Sequence, residues 1–254
     1  MDQITVIINS PSSQKPIDAH ETHSIDSHLF PAIGLKPPFP FADFSFKKNT
    51  NKQSLIMTPI SLVAGMHDIL VQHLPKEMSV TKDEISEILT LIKPLFIDLD
   101  LTLYENISDL IIRGDFDITS TPFFELGTQS LKKGLPKGKE QALFSRLIAE
   151  IQMTLNEASF NKKRIIHGKL PINALWLWGA GKWNFSNKQI TLVSDCLYLK
   201  SKIETLQNIN YLTRQDFLNY SNKKPLHNIV IYLQKTDPDI EKKCYQLNKT
   251  RVIS

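Results

Sequence analysis

Two periods of hydrophobic and polar residues run along this chain, and they predict strands that alternate with helices. Alternation at every second residue and short β-branched runs are typical of strands. Apolar residues at three- and four-residue spacing are typical of helices, and the helix that begins at Thr81 has Glu84 in capping-box position. The strands are predicted at 3–9, at two runs within 54–73, and at 95–103, 108–113, 174–178, 189–193 and 228–233. The helices are predicted at 81–93, 139–158, 195–206 and 238–247.

The order of these elements predicts the fold class. Strands and helices alternate over 174–247, which favours parallel strands joined by right-handed crossovers. Neighbouring strands within 54–73 and 95–113 indicate hairpins and therefore antiparallel pairing. We expect an α/β fold with a mixed, mainly parallel sheet flanked by helices and an antiparallel hairpin region. With 254 residues, the chain is expected to form a single domain over 1–254, with a proline- and histidine-rich loop at about 10–52.

Composition and charge predict a soluble, cytoplasmic protein without a nucleic-acid or membrane partner. Apolar residues make up 41% and charged residues 22%, as in ordinary folded domains. No run approaches the ~18 apolar residues of a membrane helix, and the N-terminus lacks the basic start of a signal peptide. The net charge of +4 is spread over short clusters, which indicates a solvated surface. Cys196 and Cys244 lie outside any CxxC pattern, which fits a reducing compartment.

Two clusters of polar residues suggest metal or acid–base chemistry, and each also has a structural interpretation. His20, His23 and His28, with Asp26 among them, have a spacing that suits a metal ion. The surrounding prolines favour a polar loop instead. The two aspartates of 95–103 fall on one face of a predicted strand, where an exposed strand normally carries acids. We therefore predict no metal site and no cofactor.

The stretch 161–182 carries the densest set of chemical markers. A strand at Ala174–Trp178 that is apolar on both faces is followed by Gly-Ala-Gly at 179–181 and by Lys182. Small residues beyond the carboxyl end of a strand let the backbone approach a ligand, and a lysine beside exposed amides suits a phosphate. The stretch matches neither GxxxxGK[ST] nor GxGxxG. Its two tryptophans lie on one side of the strand, where they serve core packing or ligand stacking.

The same stretch resembles a family signature. Asn161, Arg164, Gly168, Pro171 and Asn173, followed by Gly-Ala-Gly, form the pattern N-x2-R-x3-G-x2-P-x-N-x5-G-A-G. This pattern is similar to that of the archaeal-type, cofactor-independent phosphoglycerate mutases. Together with the preceding helix and the Leu-Trp-Leu-Trp-Gly ending, it resembles still more closely a bacterial family labelled phosphoglycerate mutase-related protein or regulatory protein of RpfE type.

The resemblance implies a protein related to two-metal phosphotransferases, with the signature in the substrate-binding part. In the mutases an arginine precedes Gly-Ala-Gly and contacts phosphoglycerate, whereas Trp178 stands there in this chain. An indole cannot make the bidentate contact of a guanidinium. The mutases' last metal-binding segment reads like TDxAGHDG, whereas 235–241 has neither glycine nor histidine, and Asn9-Ser10 stands in place of their first Asp-Gly pair. We therefore expect common ancestry or a shared ligand-binding half without catalysis.

Three functions are compatible with these residues. The first is a non-catalytic or regulatory protein that binds a small phosphorylated metabolite or a protein partner. The second is a metal-dependent phosphoglycerate mutase or phosphatase-like enzyme. The third is a protein-interaction domain without a small-molecule ligand, in which asparagine side chains tie the turn together through hydrogen bonds to the backbone. The candidate ligand-binding residues are Asn161, Arg164, Asn173, Trp178, Gly179, Gly181 and Lys182.

Overall fold

The structure is a computed structural model that describes most of the chain in separate ranges. The described residues are 4–8, 29–31, 35, 39–46, 52–66, 69–105, 109–126, 134–181, 189–196, 199–200, 209–220, 226, 228–233 and 237–252. Within these ranges, no helix has the length and apolar character needed to cross a membrane. The chain divides into two compact units, the first made of Met1–Lys36 and Asn184–Ser254 and the second of Pro37–Trp183. The expectation of a single domain over 1–254 stays a prediction.

Strands and helices alternate along much of the described chain. The strands are β1 (Ile4–Ile8), β2 (Gln53–Ala64), β3 (Ile69–Gln72), β4 (Leu101–Glu105), β5 (Leu110–Gly114), β6 (Ile118–Thr119), β7 (Lys137–Gly138), β8 (Ala174–Trp178), β9 (Ile190–Val193), β10 (Ile209–Leu212) and β11 (Ile229–Leu233). The helices are α1 (Phe41–Phe46), α2 (Lys82–Ile92), α3 (Gln141–Asn156), α4 (Ser159–Ile166), α5 (Arg214–Leu218) and α6 (Pro238–Val252). Short 3-10 turns lie at Lys76–Met78, Lys93–Phe96 and Phe123–Glu125.

The first unit contains a parallel sheet of four strands in the order β1-β11-β9-β10. β11 pairs with β1 on one side and with β9 on the other, and β10 pairs with β9. Buried side chains of β9, β11, α5 and α6 form a core beside this sheet. The parallel pairing predicted toward the C-terminus is therefore confirmed for β9 and β11.

The second unit is built around β2, a strand of 12 residues that pairs with three neighbours. All three pairings are antiparallel, with β5 along 53–57, β8 along 56–60 and β3 along 61–64. β4 pairs with β5 and completes the sheet. The hairpins β2–β3 and β4–β5 confirm the antiparallel hairpin region expected from the sequence.

One face of this antiparallel sheet carries the main core of the second unit. Alternate side chains of β2, β5 and β8 point to this face and pack against α2 and α3. The core includes Leu55, Met57, Ile85, Ile88, Ile92, Leu110, Ile112, Phe144, Leu147, Ile151, Leu155, Leu175 and Leu177, all buried. Thr58, Trp176 and Trp178 alternate with these residues along β2 and β8, so they lie on the opposite face of the sheet.

Several expectations about the sheet are wrong. A mixed, mainly parallel sheet is predicted, but the parallel strands form a sheet of their own and the larger sheet is antiparallel. β8 belongs to the antiparallel sheet because its partner is β2, which lies far from it in sequence. Residues 95–100 form a 3-10 turn and bends, and the strand begins only with β4. α1 lies within 10–52, where the sequence predicts a loop.

Candidate functional site

Asn161 lies in α4, and the backbone around it uses its whole side-chain amide. Nδ2 donates to the carbonyl oxygens of Leu155 at 2.8 Å and Ile172 at 2.9 Å. Oδ1 accepts the backbone N–H of Ile172 at 2.7 Å. The residue is only 4% exposed. Asn161 therefore ties the end of α3 to the segment that leads into β8.

Arg164, on the same helix, is buried and bonded in three directions. Nη1 donates to both carboxylate oxygens of Glu84 at 2.9 Å. Nε donates to the carbonyl oxygen of Leu170 at 2.7 Å, and Nη2 donates to that of Met78 at 2.6 Å. The side chain is 2% exposed. Its guanidinium therefore joins α4 to the start of α2 in the interior of the second unit.

Glu84 serves both this ion pair and the start of α2. The backbone N–H of Thr81 donates to Oε2 of Glu84 at 2.8 Å, and the N–H of Glu84 donates to Oγ1 of Thr81 at 3.2 Å. This geometry confirms the predicted capping box. Burial opposes ionisation of the carboxyl, but the Thr81 N–H and the Arg164 guanidinium outweigh it, so the pKa of Glu84 lies below its usual range. The pair is therefore ionised at neutral pH.

Asn173 uses its side chain to extend the pairing between β8 and β2. Its Oδ1 accepts the N–H of Leu62 at 2.6 Å, and its Nδ2 donates to the carbonyl oxygen of Leu62 at 3.0 Å. These two bonds resemble the pair that a residue of an antiparallel strand makes with its partner, and they continue the register in which Ala174 faces Ile60. The hydrogen bonds of Asn161 and Asn173 are those that the third functional alternative predicted.

Trp178 is fully buried, and its indole contacts side chains of β2, α1 and the 3-10 turn at Phe123–Glu125. Nε1 donates to Oγ1 of Thr58 at 2.9 Å, and the Thr58 hydroxyl donates to the Asp109 carboxylate at 2.7 Å. The ring packs against Phe41 with a centroid distance of 5.5 Å and stacks on Phe123 at 6.3 Å. Between the two interpretations of this tryptophan, the contacts favour core packing.

Gly179 follows β8 and brings α1 against the end of this strand. Its φ of +81° lies in the left-handed region that favours glycine. Its carbonyl oxygen accepts the N–H of Ala42 at 3.0 Å. A Cβ at this position would lie 3.1 Å from Cβ of Phe41, which is closer than side chains normally pack. Gly181 is also buried, and Lys182 lies outside the described residues.

A cavity of about 590 Å³ lies where β8 ends. Gly179 and Ala180 form part of its wall, and Phe39 and Phe41 add two aromatic rings. The rest of the wall comes from residues within 119–137. The volume falls within the ~300–1,000 Å³ typical of small-molecule sites. This cavity is therefore the candidate ligand site of the second unit.

The polar groups of the cavity come from the small sheet β6–β7 and from the turn that follows β6. Thr119 pairs with Lys137 across this sheet, and its hydroxyl donates to the carbonyl oxygen of Lys137 at 3.3 Å. The exposed side chains of Lys137 and Glu125 provide one cation and one anion. The buried hydroxyl oxygen of Ser120 has no hydrogen-bond partner among the described residues. Since buried polar atoms are nearly always paired, Ser120 indicates a place for a ligand or a water molecule.

α1 connects the cavity wall to a buried polar cluster on the sheet. It carries Phe41 in the wall, whereas Asp43, two residues later, is buried with Ser54 and Arg113 nearby. Burial raises the pKa of the Asp43 carboxyl to about 6, although the Ser54 hydroxyl and the Arg113 guanidinium lower it. One helix therefore both lines the cavity and places an acid of unusual pKa in the interior.

Neither the metal hypothesis nor the hypothesis of paired catalytic aspartates gains support from the described residues. His20, His23 and His28 lie outside those residues, so the prediction that they form no metal site stays a prediction. Asp98 and Asp100 lie in exposed bends before β4 and not along a strand. Across the ranges that the structure describes, no three His, Cys, Asp or Glu side chains are grouped in a way that would hold a metal ion.

Of the family-signature residues that the structure describes, Gly179 and Ala180 line the cavity and the others do not. Among the predicted ligand-binding residues that are described, Gly179 lines the cavity, whereas Asn161, Arg164 and Asn173 bond to backbone and to Glu84 elsewhere in the unit. Sequence reasoning missed most of the lining residues. Their one local signal is the hydroxyl run Thr-Ser-Thr at 119–121, and nothing in the sequence places that run beside the end of β8.

Part of the chain is similar in sequence to curated phosphoglycerate mutases. A 2,3-bisphosphoglycerate-independent phosphoglycerate mutase from Methanosarcina mazei is 33% identical over 87 residues, which are 32% of this chain and 22% of that protein. A probable 2,3-bisphosphoglycerate-independent phosphoglycerate mutase from Geobacter sulfurreducens is 35% identical over 69 residues, which are 27% of this chain and 17% of that protein. The matched part of the chain is therefore related to these mutases, and it spans about a fifth of their length.

Two solved structures align with more of the chain at low similarity. The cofactor-independent phosphoglycerate mutase from Thermoplasma acidophilum aligns with 97% of this chain and 83% of its own, at 13% identity and a TM-score of 0.42. The PH0037 protein from Pyrococcus horikoshii aligns with 89% of this chain and 61% of its own, at 13% identity and a TM-score of 0.45. No family model matches the chain. The relation to the mutases therefore depends on the sequence matches.

Proposed function

We propose that this chain is a non-catalytic, regulatory protein that binds a small phosphorylated ligand in the cavity beyond β8. In this proposal the chain shares ancestry with phosphoglycerate mutases. It acts by binding its ligand and does not convert the ligand into a product. The proposal includes membership of the bacterial phosphoglycerate mutase-related, RpfE-type family and a cytoplasmic location. The protein partner that the sequence also suggests stays a prediction.

The cavity lining is the observation that carries this proposal. Lys137 supplies an exposed cation, and Thr119, Ser120 and Thr121 supply hydroxyl groups from one short segment. Charge-assisted hydrogen bonds to phosphate are roughly twice as strong as neutral ones. Phe39 and Phe41 add an apolar part to the same wall. This set of groups suits a phosphorylated ligand.

Two positions of the family signature support the proposal of ligand binding without catalysis. In the mutases that the chain resembles, an arginine before Gly-Ala-Gly contacts the substrate. Trp178 holds this position, is fully buried, and gives its N–H to Thr58. Arg164 gives its donors to Glu84 and to two backbone carbonyl groups. Both positions therefore stabilise the fold, and Lys137 is the cation that the described lining offers a ligand.

Lys137→Ala is expected to weaken the binding of a phosphorylated ligand about tenfold or more, because a hydrogen bond to a charged group contributes roughly 1.5–3 kcal/mol. Isothermal titration with 3-phosphoglycerate, nucleotides and inorganic phosphate measures this affinity. Lys162→Ala is the matched control, since Lys162 is an exposed lysine of α4 that does not line the cavity. The control is expected to bind like the wild type.

Two results would overturn the proposal. One is the absence of binding heat with every member of the panel. The other is an equal loss of affinity in Lys137→Ala and Lys162→Ala, which would indicate a general effect of surface charge on a ligand bound elsewhere.

A further inference from the structure

The cavity beyond β8 combines an aromatic wall, a carboxylate, and a lysine with neighbouring hydroxyl groups. We infer that its ligand is a nucleoside monophosphate, with the base on Phe39, the ribose hydroxyls at Glu125 and the phosphate at Lys137. This inference rests on the proposed function, since it specifies the ligand of the same site. A three-carbon phosphoglycerate has no ring to place on Phe39.

The size of the cavity is the first reason for a ligand larger than phosphoglycerate. Sites of ~300–1,000 Å³ bury most of the surface of a drug-sized molecule. At about 590 Å³, this cavity would leave much of its volume to water around a three-carbon phosphate. A nucleoside monophosphate is of drug-like size and extends from a phosphate to an apolar ring, so it can contact both the polar and the apolar parts of the wall.

The aromatic wall is the second reason. Phe39 is half-buried, and Phe41 meets it edge-to-face with a centroid distance of 6.0 Å and an interplanar angle of 86°. Phe41 is itself buried against Trp178 at 5.5 Å. A ring that is already held in place loses little freedom when a ligand stacks on it. Every nucleobase has a π-face, so Phe39 suits a base.

The polar groups of the wall match the remaining parts of a nucleotide. An ionised carboxylate only accepts hydrogen bonds, so Glu125 suits the donating hydroxyls of a ribose. The exposed Lys137 supplies a cation for the phosphate, and Thr121 adds a hydroxyl group to the same wall.

Charge balance also distinguishes the two ligand classes. The described lining carries one lysine and one glutamate, whose charges cancel. Phosphoglycerate has an anion at each end, so its second anion would be repelled by Glu125 once its phosphate occupied Lys137. A nucleoside monophosphate confines its negative charge to the phosphate. The neutral ribose can then approach the glutamate without this repulsion.

The inference is tested by isothermal titration of AMP, ribose 5-phosphate and 3-phosphoglycerate. Phe39→Leu keeps an apolar side chain and removes the π-face, and Phe39→Tyr keeps the ring. Tyr245→Leu is the matched control, because Tyr245 is an exposed aromatic residue of α6. We expect AMP to bind at least about tenfold more tightly than the other two, and Phe39→Leu to lose about tenfold for AMP alone. Phe39→Tyr and Tyr245→Leu should bind AMP like the wild type.

The outcomes separate this inference from the proposed function. If ribose 5-phosphate or 3-phosphoglycerate binds as tightly as AMP, and Lys137→Ala weakens that binding, the nucleotide inference is overturned and the proposed function stands. AMP binding that Phe39→Leu leaves unchanged also overturns the inference. If none of the three ligands binds, the nucleotide inference is overturned, and the absence of heat with the other nucleotides and inorganic phosphate as well would overturn the proposed function.

Discussion

Arg164→Ala is expected to lower the free energy of unfolding by about 3–5 kcal/mol, because it leaves a partly buried carboxylate without its partner. The substitution also removes the donors that satisfy the carbonyl groups of Leu170 and Met78. Since typical domains are stable by about 5–15 kcal/mol, this loss is a large part of the total. The guanidinium forms a bridge between α4 and the start of α2.

Urea denaturation measures this effect, and the buried Trp176 and Trp178 report by fluorescence on the unit that contains Arg164. Arg146→Ala is the matched control, since Arg146 pairs with Glu150 on the surface of α3 at 71% side-chain exposure. The control is expected to change stability by less than about 0.5 kcal/mol. Similar small changes in both variants would show that Arg164 is not the structural bridge described above.

Asn161→Ala is expected to destabilise the second unit by about 2–4 kcal/mol, because each buried backbone group left unpaired costs roughly 1–3 kcal/mol. The substitution leaves the carbonyl oxygens of Leu155 and Ile172 and the N–H of Ile172 without this partner. Alanine is also too short to exclude water from the space between α3 and the entry to β8. The loss should therefore appear as global destabilisation and not as a change of ligand affinity alone.

Thermal melting followed by circular dichroism compares Asn161→Ala with Asn156→Ala. Asn156 is the exposed last residue of α3 and provides the same change of side chain without burial. We expect a clear fall in melting temperature for the first variant and almost none for the second. An unchanged melting temperature for Asn161→Ala, together with weakened ligand binding, would return Asn161 to the set of ligand contacts.

Local sequence signals predicted those elements whose structure depends on neighbouring residues. The capping box of Thr81 and Glu84 forms as predicted because both side chains lie within one helical turn. The helix predicted at 139–158 forms as α3, and three of its four buried residues, Leu147, Ile151 and Leu155, repeat at the four-residue spacing of an apolar helix face. β8 is buried along its whole length, as its uninterrupted apolar run indicates.

Features that depend on partners distant in sequence could not be predicted in this way. An apolar run such as β8 suits a parallel or an antiparallel neighbour equally, and β2 determines the outcome. The cavity could not be predicted for the same reason, because its wall combines Phe39, residues 119–125, Lys137 and Gly179 from separate parts of the chain. Only the last of these belongs to the family signature. Asn161, Arg164 and Asn173 of the signature bond to other parts of the second unit, so the signature says more about folding than about ligand chemistry.

We propose that the signature residues maintain the fold while the cavity beyond β8 holds a phosphorylated ligand. A crystal structure of the full chain with AMP at saturating concentration tests this division of roles. We expect electron density for the phosphate beside Lys137 and for the base beside Phe39, with Arg164 still bonded to Glu84. Phosphate density at Arg164, with its bond to Glu84 broken, would overturn this division of roles, and an empty cavity at saturating AMP would overturn the nucleotide inference.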